Sequence, residues 1–243
     1  MSTGPGSPIR RTSLVDEIVG RLQREIVDGR LAPGQALPSE RELAEKYGVT
    51  RASLKQALVR IEEVGLIRTR HGVGSIVQDV QQDGGADLLK YLAPPDGSRD
   101  FLFLREILEA RCFIGGAIAR LAARRRTRKH LAELEQALQE LERRRDDPKE
   151  TQRLENVFVR ALGRACGNKV FNFVTNSVSA AYKLDLATYA APFRDGAWVA
   201  AQLRTIQEAV GDGDEAAAGA ATEAYFDECG RRVLAQARAG ARR

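Results

Sequence analysis

Arg51 and Lys55 stand four residues apart, and no acidic side chain lies between Thr50 and Ile61. On a helix that spacing places a guanidinium and an ammonium one turn apart on the same face, close to an N-terminus whose free amides and dipole already favour phosphate. Further along, His71-Gly72-Val73-Gly74 combines an imidazole with two glycines. Glycine lets a backbone approach a groove or a phosphate closely, and the ring can donate to a base edge or a phosphate oxygen. Together these residues carry the chemistry of a double-stranded DNA reader. The competing readings are ordinary solvated charges for Arg51 and Lys55 and a solvated loop residue for His71.

The surrounding sequence supplies the elements that would hold them. Ser39 with Glu42 three residues on is a capping box, in which the hydroxyl covers an orphan amide and the carboxylate reaches back to the cap. A helix therefore starts at Ser39, buries Leu43 and Ala44, and stops at Tyr47-Gly48, where glycine supplies a left-handed end. Thr50 caps the next helix, whose Leu54, Leu58, Ile61 and Val64 recur at spacings of three and four and leave the basic face free. Gly65 ends it, and Leu66-Ile67-Arg68-Thr69 and Ser75-Ile76-Val77 are β-rich runs flanking the glycine tip. Helix, turn, basic helix and hairpin in that order predict a winged helix-turn-helix whose second helix enters the major groove.

This stretch resembles the N-terminal domain of the GntR family of bacterial transcription regulators over residues 12–78. Carrying the likeness are a leading helix striped with Leu14, Ile18, Leu22 and Ile26, the turn Leu31-Ala32-Pro33-Gly34, Leu37-Pro38-Ser39-Glu40-Arg41, Val49-Thr50-Arg51 and the glycine-bearing wing. The resemblance implies that Arg41 and Arg51 read guanines, with Thr50, Ser53 and Lys55 as positioning contacts and His71 and Gly72 at the wing tip. It also implies a homodimer on a short palindromic operator.

With 243 residues the chain has room for one or two domains, and a net charge of +5 permits a polyanionic partner without requiring one. No run of eighteen apolar residues is present, and Met1 to Pro8 lacks the apolar core of a signal peptide, so residues 1–11 read as a disordered arm, with a cytoplasmic location and no membrane partner. Cys112, Cys166 and Cys229 are widely spaced and form no CxxC pair, which fits buried thiols.

Residues 79–99 read as a linker, broken by Gly84-Gly85 and Pro94-Pro95, with a short helix at Asp87–Leu92. From 100 to 237 only helical periodicity is found, and 238–243 read as a basic tail. The fold class is mainly α: the winged domain followed by an all-helical bundle of six or seven helices for dimerisation and effector binding. Small residues at Gly115, Gly116, Ala117 and Ala119, at Ala180 and Ala181, and from Ala216 to Ala221 leave either closely packed helices or a cavity. No Ser-His-Asp set, phosphate loop or paired metal ligands are present, so an enzyme is not expected, and neither is a cofactor.

The second part resembles the FadR branch of the same family, which includes an acyl-CoA-binding regulator of fatty-acid metabolism. The residues behind this are Leu108-Glu109-Ala110-Arg111, Phe158-Val159-Arg160-Ala161-Leu162 with Cys166-Gly167-Asn168, and Ala181-Tyr182 followed by Thr188-Tyr189-Ala190-Ala191-Pro192. The family's commonest helical effector domain holds a divalent metal with one aspartate and three histidines, whereas this chain has two histidines in all. The corresponding positions are Glu155, Val159, Leu203 and Tyr225, so no metal is expected. His130, in the arginine-rich turn 124–129, reads as solvated surface.

The resemblance implies an effector site of Arg111, Tyr182, Tyr189, Phe226 and Cys229, with a long-chain acyl-CoA or a small organic acid as ligand. Arg111 would meet a phosphate or carboxylate, or else pair with Glu109 or Glu155. Phe226 would shorten or block an acyl tunnel, and Cys229 replaces a hydroxyl. A ligand-free architectural DNA binder is the alternative.

Overall fold

The computed structural model describes residues 14–70, 72–83, 101–182 and 188–241. The chain divides into two compact units, Met1–Pro95 and Asp96–Arg243.

In the first unit, helices α1 (Leu14–Val27), α2 (Glu40–Tyr47) and α3 (Arg51–Glu63) precede a hairpin of β1 (Ile67–Arg70) and β2 (Gly74–Val77) and a single turn, α4 (Val80–Asp83). The apolar stripes close on one another: Ile18, Leu22 and Ile26 of α1 meet Leu43 of α2, Leu54 and Ile61 of α3, and Leu66, Ile67 and Val77 of the hairpin. Leu14, assigned to the stripe, is 48% exposed at the first position of α1. The strands pair antiparallel with Ile67 opposite Val77 and Arg70 opposite Gly74. A third segment joins them. Leu37 N–H donates to Ser75 O at 2.7 Å, Val77 N–H donates to Gln35 O at 2.9 Å, and Ala36 bridges Ile76, so the residues before Pro38 form a short edge of the wing.

The second unit is an antiparallel bundle. Its described elements are α5 (Phe101–Arg125), α6 (Arg128–Arg144), α7 (Pro148–Cys166), α8 (Lys169–Tyr182), a 3₁₀ turn (Thr188–Arg194), α9 (Gly196–Asp212) and α10 (Glu215–Ala241). Local signals set the ends. Thr127 and Asp195 cap α6 and α9, Pro148 opens α7 behind the Asp147 cap, and Gly167 and Gly213 take left-handed backbone at the ends of α7 and α9. Leu134, Leu138, Leu141, Phe158, Leu203 and Tyr225 form the core. The last helix does not end at residue 237 as the sequence boundary has it; α10 runs to Ala241, since alanine and arginine favour helix and the lone Gly240 is too weak a breaker to stop it.

The arginine-rich turn holds helix ends together. Arg124 pairs with Glu215 through two bonds of 2.6 and 2.8 Å, Arg125 donates to Cys166 O at 3.0 Å, and Arg126 donates to Gly211 O at 3.0 Å and Ala123 O at 2.6 Å. His130 is half-buried, with Nδ1 shut away and without a partner among the described residues, rather than solvated, because α6 carries it back against the bundle. The linker helix expected at Asp87–Leu92, the arm 1–11 and residues 242 and 243 lie outside the described residues.

Candidate DNA interface and effector cavity

The turn between α2 and α3 is built as its residues dictate. Ser39 N–H donates to Glu42 Oε2 at 2.9 Å, and Ser39 Oγ accepts from the Glu42 amide at 3.3 Å, which completes the capping box. Gly48 adopts φ 65°, where a Cβ would be strained, and its amide closes α2 on Ala44 and Glu45 carbonyls. Thr50 Oγ1 then accepts from the Ser53 amide at 3.2 Å and lies 3.0 Å from Ser53 Oγ. Thr50 and Ser53 are thus engaged with each other as the cap of α3, and any phosphate contact they make is shared with that role.

Arg51 and Lys55 are exposed on α3, and the helix has no acid in its first turn. Arg41 is exposed on α2 and lies 3.2 Å from Glu45, a solvated pair that costs little to open. On the wing, Gly72 is exposed, while His71 lies outside the described residues. Arg68 and Arg70 of β1 are exposed on the same short hairpin and were not assigned a role from sequence. Their signal was the spacing of two arginines two residues apart, which sets both on one face of a strand.

In the helical unit a cavity of about 990 Å³ opens between α5, α7, α8, the 3₁₀ turn and α10, at the upper end of the volumes of small-molecule sites. Arg111, Tyr189 and Phe226 line it, beside Glu155 of α7. The small residues of α5 also bring α10 close, and Gly115 lines the cavity as well. A Cβ on Gly115 would stand 2.3 Å from the Phe226 ring, and one on Gly116 would stand 2.2 Å from Glu223 Oε1, so they let α10 pack closely. Phe226 is 5% exposed, seated on Gly115, and forms part of the wall of a cavity that still has room.

Arg111 takes the ion-pair alternative. Its Nη2 donates to Glu155 Oε1 at 2.7 Å, and its guanidinium lies 4.3 Å from the centre of the Phe226 ring. Glu155 is 1% exposed, and Oε1 also accepts from Tyr225 OH at 3.4 Å, while Oε2 has no partner among the described residues. Burial pushes this carboxyl above the ordinary carboxylate range, with Arg111 pulling it back. Burial also drives Tyr225 well above the usual phenol value.

Cys229 is not placed as expected. It is 2% exposed and absent from the cavity wall, because α10 turns it into the core, where burial lifts its thiol to about 12. Tyr182 is the last residue of α8, and its side chain lies outside the described residues. The positions matching the family's metal ligands do not fit a metal: Glu155 already carries a guanidinium, and Leu203 and Tyr225 are buried core side chains. Among the described residues no three histidine, cysteine or carboxylate side chains gather as ligands.

Comparison with known proteins agrees with both halves. Residues 14–77 match the family model described as bacterial regulatory proteins, gntR family, and residues 106–228 match the FCD domain. An uncharacterised HTH-type transcriptional regulator of Mycobacterium tuberculosis is 34% identical over 227 residues, covering 93% of this chain and 92% of that one. A fatty acid metabolism regulator protein of Pasteurella multocida is 30% identical over 161 residues, 66% of this chain and 65% of its own. The solved structure of Lar, described as controlling the expression of the Listeria monocytogenes agr system, has the same fold at TM-score 0.56 and 20% identity, over 93% of this chain and 98% of that one.

Proposed function

This chain belongs to the GntR family of bacterial regulatory proteins, as a transcription regulator with an FCD domain, and from that premise we propose that it is a homodimeric repressor or activator whose DNA affinity is set by an acyl-CoA or an organic acid held in the helical unit. The observation that supports this most directly is the cavity of about 990 Å³ with Arg111, Tyr189 and Phe226 in its wall. An architectural DNA binder has no use for such a space, nor for a buried carboxylate facing it. The likeness to fatty acid metabolism regulator proteins favours a long-chain acyl-CoA, with smaller organic acids second.

In this reading Arg41 and Arg51 contact guanines, Thr50, Ser53 and Lys55 fix the register on phosphates, and the wing, with His71 and Gly72, follows the adjacent groove. Two copies place their α3 helices in successive major grooves ~34 Å apart, which requires a short palindrome. A ligand bound ~100-fold more tightly by one arrangement of the dimer supplies about 2.7 kcal/mol of coupling, enough to change operator occupancy. The test is thermal unfolding against long-chain acyl-CoAs, free fatty acids and small carboxylates, followed by operator release with whichever stabilises. A ligand at a hundred times its Kd adds about 2.7 kcal/mol. Stabilisation by none of these classes would refute the effector reading.

A further inference from the structure

Glu155 on α7 and Thr175 on α8 both line the cavity, and each carries a buried polar atom, Oε2 and Oγ1, without a hydrogen-bond partner among the described residues. The rest of the Glu155 carboxylate is satisfied, since Oε1 accepts from Arg111 at 2.7 Å and from Tyr225 at 3.4 Å. Folding leaves a lining residue with an acceptor unpaired among the described residues, which is costly unless a bound molecule supplies the donor. The remaining wall is mixed, with Gln152, Asn156 and Tyr189 among its polar residues. Ile118, Leu162, Val178 and Phe193 are its apolar part, while Lys149 and Arg160, both exposed residues of α7, add cationic groups to the lining.

A plain carboxylate does not answer this pattern. Brought to Glu155 Oε2, it would set two like charges together in a poorly solvated place, whereas Lys149 and Arg160 offer it opposite charge. The bare acceptor calls for a neutral donor instead. We propose that this cavity selects an apolar acid that also carries a hydroxyl or an amide N–H, the donor going to Glu155 Oε2 or Thr175 Oγ1 and the acid group to the α7 cations. This rests on the cavity being the effector site, and it adds the class of molecule the site prefers.

Isothermal titration of the full-length protein with decanoic acid, 3-hydroxydecanoic acid, 10-hydroxydecanoic acid and N-octanoylglycine tests it. At least one donor-bearing acid binds about tenfold more tightly than decanoic acid, the ratio that pairing a buried acceptor supports. Glu155→Gln puts an amide donor in place of the acceptor, Thr175→Val removes the hydroxyl while being nearly isosteric, and at least one of the two abolishes that preference. Decanoic acid binding as tightly as all three donor-bearing acids would overturn this inference and leave the effector site standing. Glu155→Gln and Thr175→Val proteins that fold and both keep the full preference would also overturn it. Binding of none of the four acids by the wild type would overturn the inference, and failure of long-chain acyl-CoAs as well would overturn the effector-site reading with it.

Discussion

Glu62, in the last turn of α3, holds Thr69 of β1 with both carboxylate oxygens: Oε1 accepts from the Thr69 amide at 2.7 Å and Oε2 accepts from its hydroxyl at 2.9 Å. The basic helix and the wing are therefore joined directly, as well as through the core beneath them. Glu62→Ala removes two charge-assisted bonds at an exposed site, so thermal unfolding should show a loss of about 1 kcal/mol. Operator affinity, followed by fluorescence anisotropy, should fall several-fold because the wing loses its fixed angle to α3. An unchanged Kd would mean that Leu66, Ile67 and Val77 hold the wing alone.

Arg51→Ala and Arg41→Ala should each weaken operator binding by ~1–3 kcal/mol with no change of melting temperature. Both side chains are exposed, and the Arg41–Glu45 pair contributes only about 0.3–0.5 kcal/mol to the fold. Lys55→Ala should instead weaken all sequences alike and reduce the slope of log affinity against log salt by about 1. Unchanged affinity in the Arg51 variant would remove α3 from the role of recognition helix.

Gly115→Ala should test the seat of Phe226. The added Cβ would lie 2.3 and 2.5 Å from two ring atoms, and the ring cannot yield without moving the Arg111 guanidinium stacked over it. Overpacking of this kind costs about 1–3 kcal/mol, and ligand binding in the cavity should weaken as well. A variant with wild-type stability and binding would show that α5 and α10 slide apart freely.

The Glu155 carboxyl sits above its ordinary value of 4.5, raised by burial against the pull of Arg111. An acid raised in the folded state binds its proton more tightly there than in the unfolded chain, so it favours folding most at low pH and loses that contribution as pH climbs through the folded value. Glu155→Gln does not titrate. Melting curves from pH 4 to 8 should show the stability of wild type relative to the glutamine variant falling as pH rises, and a constant difference would mean that Arg111 holds the carboxylate ionised throughout.

Cys229 and Cys166 are buried, burial raises both thiols, and that of Cys229 reaches about 12. Cys112 is half-buried and raised first by burial and then by Glu223. Iodoacetamide at pH 8 should therefore modify the native protein slowly and all three cysteines promptly in denaturant. One fast thiol in the native state would point to a redox role.

The N-terminal unit was legible in the sequence because its determinants are local. A capping box needs Ser39 and Glu42 three residues apart, a left-handed stop needs glycine at 48, and a buried face needs Leu54, Leu58 and Ile61 at helical spacing; each decision is made within a turn or two of chain. Residues 35–37 escaped that reading, since an edge strand is defined by its partner and Ser75 lies far along the chain. In the helical unit the periodicities gave helices but not their order around the cavity. Whether Arg111 met a ligand or an acid depended on Glu155, 44 residues away, and whether Cys229 faced the cavity or the core depended on how α10 turned against α5. Sequence by itself thus determined the family, the DNA-reading half and the helical class of the remainder. Tertiary structure decided the pairing of Arg111 with Glu155 and left two residues that line one cavity, Glu155 and Thr175, each with a buried polar atom unpaired among the described residues, because burial and pairing between distant helices are properties of packing and leave no trace in local spacing.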